Sequence, residues 1–266
     1  MEITIEEKII DALVSNWQRC GMEKGDIVLV HSSLKRLLLV LKDEFGVIAT
    51  PKLVYDSLIK TLGEDGTLVL PLYNFDFPKT NYFHFNETPS QMGALTEIGR
   101  TQKDAVRTGH PIYSFSVAGK LKNEFAGLDN KSGYGSDSLF AKLKELNGKI
   151  AVIGLTDQNS MTSYHFVEEQ NLVNYRYFKN FTGTYIDENN NEQIKTYSLF
   201  VRDLEKGVKT DVNRMMEKLW EIGAYRGDKP DEGYGMRTIK FNDLYNETDK
   251  VIKSGNAINF LYSIEK

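Results

Sequence analysis

Cysteine is almost missing from this chain of 266 residues: Cys20 stands alone. That excludes an internal disulfide framework and argues against a cysteine-based structural zinc site. With 6 prolines and 21 glycines the chain is neither collagen-like nor a linker. An excess of one charge is also lacking. The 33 basic and 37 acidic residues leave a net charge of -4, so there is no strongly basic face for nucleic acid and no polybasic tail for anionic lipid. Long apolar runs are absent. The stretch LLLVL at Leu37–Leu41 is far too short to span a bilayer. The opening MEITIEEKIIDALVSNW carries acidic residues where a signal peptide needs a basic start, and the expectation is a cytoplasmic protein. What is present is ordinary for a globular chain, with 41% hydrophobic and 26% charged residues. A chain of this length buries roughly 70% of its unfolded surface, so its core needs no staples.

Ile5, Ile9, Ile10, Leu13, Val14 and Trp17 recur at helical spacing. Apolar strands then alternate with helices. The strands are Asp26–Val30, Thr67–Leu70, Tyr113–Ala118 and Lys149–Gly154; the helices are Thr50–Leu62, Gln91–Arg100, Ser136–Leu146 and Met161–Gln170. Ser90, and Ser136 or Asp137, read as N-caps. This interleaving predicts an α/β fold with a mainly parallel central sheet. After Tyr177 the pattern changes. Phe178–Tyr185 and Glu192–Phe200 flank DENNN at Asp187–Asn191, which predicts an antiparallel β excursion in the C-terminal third. Helices return at Thr210–Ile222 and near Phe241–Ile252. No linker divides the chain, so residues 1–266 read as a single domain with a subdomain at 178–240.

The common nucleotide and hydrolase signatures are missing: GxGxxG, GxxxxGK[ST], HExxH and GxSxG do not occur. The histidines are His31, His84, His110 and His165. Gln91–Ala94 (QMGA) is only a fragment of a CoA pyrophosphate loop and lacks its glycine spacing. Attention falls on polar residues at strand ends, where α/β sheets bind ligands. His31–Ser32–Ser33 follows the first strand; its small hydroxyls and amides suit a phosphate or a thioester carbonyl, or serve as a helix cap. In Arg107–Thr108–Gly109–His110–Pro111, Arg107 has the geometry to fork onto a phosphate, and proline holds His110 extended, as a structural or a catalytic group. In Ser163–Glu169, helical spacing brings His165 to Glu168 or Glu169. Such a pair is a general base with its carboxylate, or a surface ion pair. Asp76, beyond the second strand, is a further carboxylate.

Together these segments resemble the aminoglycoside 3-N-acetyltransferase family. The matching pieces are GDIVLVHSSL, EDGTLVLP, TPSQMGALTE, RTGHPIYSFSVAG, GYGSDSLFAKL, KIAVIGL and SYHFVEE, in the family's order over roughly residues 24–170. The resemblance implies an αβα sandwich, acetyl-CoA as cosubstrate, no metal, and direct transfer to an amine without an acyl-enzyme. His165 matches the catalytic histidine and Glu168 its carboxylate. Ser32, Ser33, Leu34 and Lys35, with the adjoining His31, match the loop that lines the CoA arm, and Arg107, Ser114 and Phe115 match positions bordering the cofactor channel. His110 matches the histidine of the HP motif and, with Asp76 and Asp203, is assigned to the acceptor. Backbone amides near His31–Ser33 are assigned to the thioester oxygen.

The segment after the hairpin departs from the pattern. Antibiotic-modifying members carry an acidic pair there, whereas TYSLFVRDLEKG offers Asp203 beside Val201 and Arg202. Nucleotide-linked amino sugars therefore stand beside aminoglycosides as acceptors. Two other readings stay open: a thioester or amide hydrolase with Ser163 as nucleophile, and a CoA-binding protein without turnover. The expected partner is a small amino sugar, with no nucleic acid and no membrane, and a homodimer is compatible with the sequence.

Overall fold

The computed structural model describes residues 3–265. The first half of the chain comprises α1 (Ile5–Arg19), β1 (Ile27–Ser32), α2 (Leu34–Phe45), α3 (Pro51–Leu62), β2 (Thr67–Pro71), α4 (Phe77–Thr80), β3 (Tyr82–His84), α5 (Ala94–Arg100), β4 (Val106–Arg107) and β5 (Phe115–Gly119). It continues through α6 (Leu139–Glu145), β6 (Lys149–Ile153), α7 (Ser163–Gln170), β7 (Arg176–Ile186), β8 (Glu192–Arg202) and β9 (Val208–Thr210). The last elements are α8 (Asn213–Glu221), β10 (Arg226–Gly227), β11 (Met236–Lys240), α9 (Phe241–Lys253) and β12 (Tyr262–Ile264).

The main sheet is seven-stranded, in the order β10-β11-β6-β1-β2-β5-β4. Its centre, β6-β1-β2, is parallel, and its flanking pairs are antiparallel. The strand β1 opens with four apolar residues, Ile27–Val30, because both of its faces are covered, and it ends in the polar His31 and Ser32. Val28 and Val30 join one core with α1, α2 and α3, while Leu29 joins a second core with α6, α7 and α9. These two layers on one sheet are the expected sandwich. The hairpin β7–β8 forms with β3 a separate three-stranded sheet, which is the expected antiparallel excursion. Within residues 178–240, β10 and β11 pair into the main sheet and not with the β7–β8 hairpin.

Boundaries moved where backbone geometry overrode side-chain capping. The helix expected from Gln91 begins at Ala94, since Gly93 sits at φ 102 and breaks the chain there. Ser90 instead accepts from the Met92 amide in the preceding turn. The helix expected from Ser136 begins at Leu139, after a turn closed by the Ser138 amide on the Gly135 carbonyl. The helix α2 was not foreseen: it buries Leu37 and Leu41 but exposes Leu39, which blurs its apolar stripe. No helix among the described residues is long and apolar enough to cross a membrane.

One loop decides where the chemistry sits. At the end of β6, Gly154 has φ 64, and a Cβ there would lie 2.6 Å from the Ser33 carbonyl oxygen. Glycine thus lets the chain turn off the sheet against the end of β1. The following loop is pinned by Asp157, which is buried and ion-paired at 2.7 Å with the buried Arg237. Its other oxygen accepts from Tyr164 at 2.5 Å and Tyr225 at 2.7 Å, and Arg237 also donates to the Leu155 carbonyl. Asp157→Ala strands a buried guanidinium, so urea unfolding should show a loss of about 3–5 kcal/mol. A loss within about 0.5 kcal/mol, the range of ordinary surface substitutions, contradicts this assignment.

Candidate active site

Helix α7 carries His165 and Glu168 one turn apart, and their side chains meet: Nδ1 lies 2.7 Å from Oε2. Glu168 is 1% exposed and His165 is 17% exposed. The first residue of β7, Arg176, closes the group. Its Nε lies 2.7 Å from the same carboxylate oxygen, off the hydrogen-bond direction, and its Nη2 lies 2.8 Å from His165 Nδ1. A ring nitrogen cannot both donate to the carboxylate and accept from the guanidinium. The ionised carboxylate is the stronger partner, so Nδ1 carries the proton and Arg176 acts on the ring through its charge. Arg176 is held independently by donating to the Phe200 carbonyl at 3.0 Å. The Tyr134 ring packs edge-on against the imidazole at 5.3 Å. Nε2 of His165 is engaged by no described residue.

Burial lowers the pKa of His165 below its usual value, and the charge of Arg176 lowers it further, against the opposing pull of Glu168. Burial favours the neutral form of Glu168, but Arg176 and His165 outweigh it and hold the carboxyl ionised. A neutral imidazole with its second nitrogen free is a general base.

Two cavities meet beside this base. The smaller, about 230 Å³, is walled by His165, Thr162, Tyr73, Phe75, Met161 and Asp157, among others. The larger, about 510 Å³, runs past Ser32, Ser33, Leu34 and Lys35 at the start of α2 and past Gln91–Leu95. His31, Met92 and Asn159 belong to both walls. The N-terminus of the twelve-residue helix α2 faces the larger cavity, with Ser33 at the cap position making no side-chain cap bond. Its unpaired amides and dipole suit the phosphates of a nucleotide-bearing ligand.

The structure thus brings His31, Ser32, Ser33, Leu34, Lys35, His165 and Glu168 to one place. Other expected residues lie elsewhere. Arg107 donates to the Phe85 and Thr88 carbonyls at 2.6 and 2.8 Å and to Ser114. Its fork is therefore filled by the protein. Ser114 and Phe115 are buried, and neither lines these cavities. His110 is fully buried, with Nδ1 accepting from the Ile112 and Tyr113 amides; it fastens a loop and lines neither cavity. Asp203 pairs with Lys206 at 2.9 Å. Asp76 is exposed and accepts from Gln91 at 2.7 Å, and it is not a lining residue of either cavity. Ser163 is buried with no partner for its Oγ among the described residues, so it is not activated by His165 as a hydrolase nucleophile would be. The residue that sequence reasoning missed is Arg176, which lies beyond the helix and carries no local signal.

A neutral imidazole at the meeting of a phosphate-suited cavity and a smaller hollow is an arrangement suited to group transfer. A model of the aminoglycoside 3-N-acetyltransferase family matches residues 29–229. The chain belongs to this family: it is an N-acetyltransferase that takes its acetyl group from acetyl-CoA. A curated relative, the SPbeta prophage-derived aminoglycoside N(3')-acetyltransferase-like protein YokD of Bacillus subtilis strain 168, is 28% identical over 191 residues, which span 63% of this chain and 67% of the relative. The crystal structure of YokD superposes with a TM-score of 0.72 at 21% identity, covering 91% of this chain and 98% of that one. AAC-IIIb in binary complex with CoASH gives 0.75 at 18% identity over 92% and 96%. AAC-VIa bound to sisomicin gives 0.74 at 18% over 97% and 100%. At these identities the superpositions establish the fold.

The electrostatics make a prediction for the resting enzyme. Removing the neighbouring charge in Arg176→Gln should raise the His165 pKa, so that the ring protonates at higher pH than in the parent. An NMR titration of the imidazole checks this; an unchanged or lowered midpoint contradicts the role given to Arg176.

Proposed function

We propose that the enzyme moves the acetyl group of acetyl-CoA to the amine of an amino sugar in one direct step, with His165 as general base. The observation that carries this reading is the neutral imidazole, fixed by Glu168 at 2.7 Å, where the two cavities join. The donor's nucleotide end fits the larger cavity beside α2, and its thioester fits the junction. The acceptor enters the smaller cavity.

The neutral amine nitrogen attacks the thioester carbonyl carbon. As the C–N bond forms, His165 Nε2 accepts the proton released from nitrogen. Glu168 holds the ring through Nδ1 and stabilises the imidazolium, the part a carboxylate plays in a Ser-His-Asp triad. Collapse breaks the C–S bond; the thiolate leaves and takes the proton from Nε2, giving free CoA and the amide. Arg176 keeps the imidazolium a ready proton donor, which suits a thiolate that needs the proton back.

The acceptor's charge is constrained by the walls. Asp157, in the wall of the smaller cavity, is neutralised by Arg237, and Glu168, behind His165, by Arg176, while Arg202 adds positive potential at His165. A polycation gains little in such a pocket. These neutralised carboxylates favour a nucleotide-linked amino sugar over a multiply charged aminoglycoside, although AAC-VIa, of the same fold, binds sisomicin. An intracellular donor fits a cytoplasmic setting.

A thiol-release assay over both acceptor classes tests this. The expected result is CoA release that requires the amine, falls about 10²–10⁴-fold in His165→Ala, and falls in Glu168→Gln with CoA affinity kept. Unchanged turnover in His165→Ala, or CoA release at the same rate without any amine, rejects the proposal.

A further inference from the structure

Direct transfer leaves one requirement unmet by His165 and Glu168. As the amine adds, negative charge builds on the thioester oxygen, and a donor must meet it there. Of the backbone amides expected near His31–Ser33 for this task, that of Ser33 donates to the Ile153 carbonyl at 2.8 Å, and His31 and Ser32 lie within the β1–β6 ladder. The nearby hydroxyls of Tyr73 and Thr162 bond each other at 3.0 Å.

Two polar side chains, His31 and Asn159, belong to both walls; Asn159 Nδ2 donates to the Thr156 hydroxyl at 3.3 Å, which leaves the His31 ring as the candidate donor. It stands at the carboxyl end of the central strand β1, 4% exposed, in the wall of both cavities. Its Nε2 has no hydrogen-bond partner among the described residues. A buried polar atom left unpaired costs roughly 1–3 kcal/mol, and the ring is not held in place by a hydrogen bond at this nitrogen. The Tyr73 ring flanks it at a centroid distance of 6.2 Å.

We propose that His31 is a catalytic residue that donates a hydrogen bond from its neutral imidazole to the acetyl carbonyl oxygen of acetyl-CoA. The inference rests on the acetyl-transfer reading of the same site. Burial, together with the charge of Arg237, holds the His31 pKa down at about 3. The ring is therefore too weak a base to compete with His165 for the amine proton. It stays neutral across the working range and keeps one N–H to give. No proton moves through it: its hydrogen bond strengthens as the tetrahedral oxygen becomes negative and relaxes when the C=O bond re-forms and the C–S bond breaks. The division of labour is thus one histidine for the nitrogen's proton and another for the carbonyl's oxygen.

The experiment compares His31→Gln, which keeps an N–H donor, with His31→Leu, which fills the space without one. In the His165→Ala background, acetyl-CoA labelled with ¹³C at the carbonyl reports polarisation directly. The bound resonance should be displaced from its free position, stay displaced with glutamine and return toward the free position with leucine. In the otherwise native enzyme, leucine should lower kcat about 10²–10³-fold while glutamine keeps within about tenfold of the parent. CoA affinity by calorimetry should change little in either. A carbonyl resonance that leucine does not move, or a leucine variant as active as glutamine, overturns the role of His31 alone. Failure of acetyl-CoA to bind the His165→Ala protein overturns the acetyl-transfer reading beneath it.

Discussion

A carboxylate that is 1% exposed needs a counter-charge, and Arg176 supplies it to Glu168 at 2.7 Å. Without that ion pair the carboxyl would neutralise or the helix would shift, since burying an unpaired ion costs several kcal/mol. The pairing has a second effect. The guanidinium lies close enough to His165 to resist its protonation, while Glu168 orients the ring and tolerates its cation. Base strength and ring orientation are thus set by two charges of opposite sign acting on one imidazole.

The sheet places this group by purely apolar means. Strands β1, β2 and β6 are buried on both faces, and their carboxyl ends open on one side. There His31, Tyr73 and the loop after β6 form the walls of the two cavities. The loop would be mobile if its polar atoms faced water. It is instead tied inward by Asp157 to Arg237, Tyr164 and Tyr225, so the cavity wall is held by the core. The same cluster explains the charge balance on the acceptor side, because Asp157 lines the hollow with its charge already neutralised.

Local information was legible in the sequence and long-range pairing was not. His165 and Glu168 share a helix turn, and three-residue spacing predicts their contact. The HSS segment comes after four apolar residues, so its place at a strand end was readable, although His31 and Ser32 belong to the strand itself. Arg107 shows the limit. A guanidinium suits a phosphate or backbone carbonyls equally well, and only the fold of Phe85–Thr88 decides that carbonyls fill it. His110 was fixed by the proline after it, but its burial depended on packing against the Tyr197 ring of the distant hairpin. Arg176 was invisible because its partner sits on another element, joined by a turn with no telling pattern. The same holds for Asp157 and Arg237, which are 80 residues apart.

The central claim is spatial: the acetyl carbonyl sits where the two cavities meet, within reach of a neutral His165. A crystal structure with a CoA ketone analogue, in which a methylene separates sulfur from the acetyl group, tests it most directly. The account predicts the phosphates at the start of α2 and the carbonyl carbon near His165 Nε2 at the junction, with the smaller cavity open beyond it. A ketone held away from that junction, on the far side of the Gly154 loop, would contradict it.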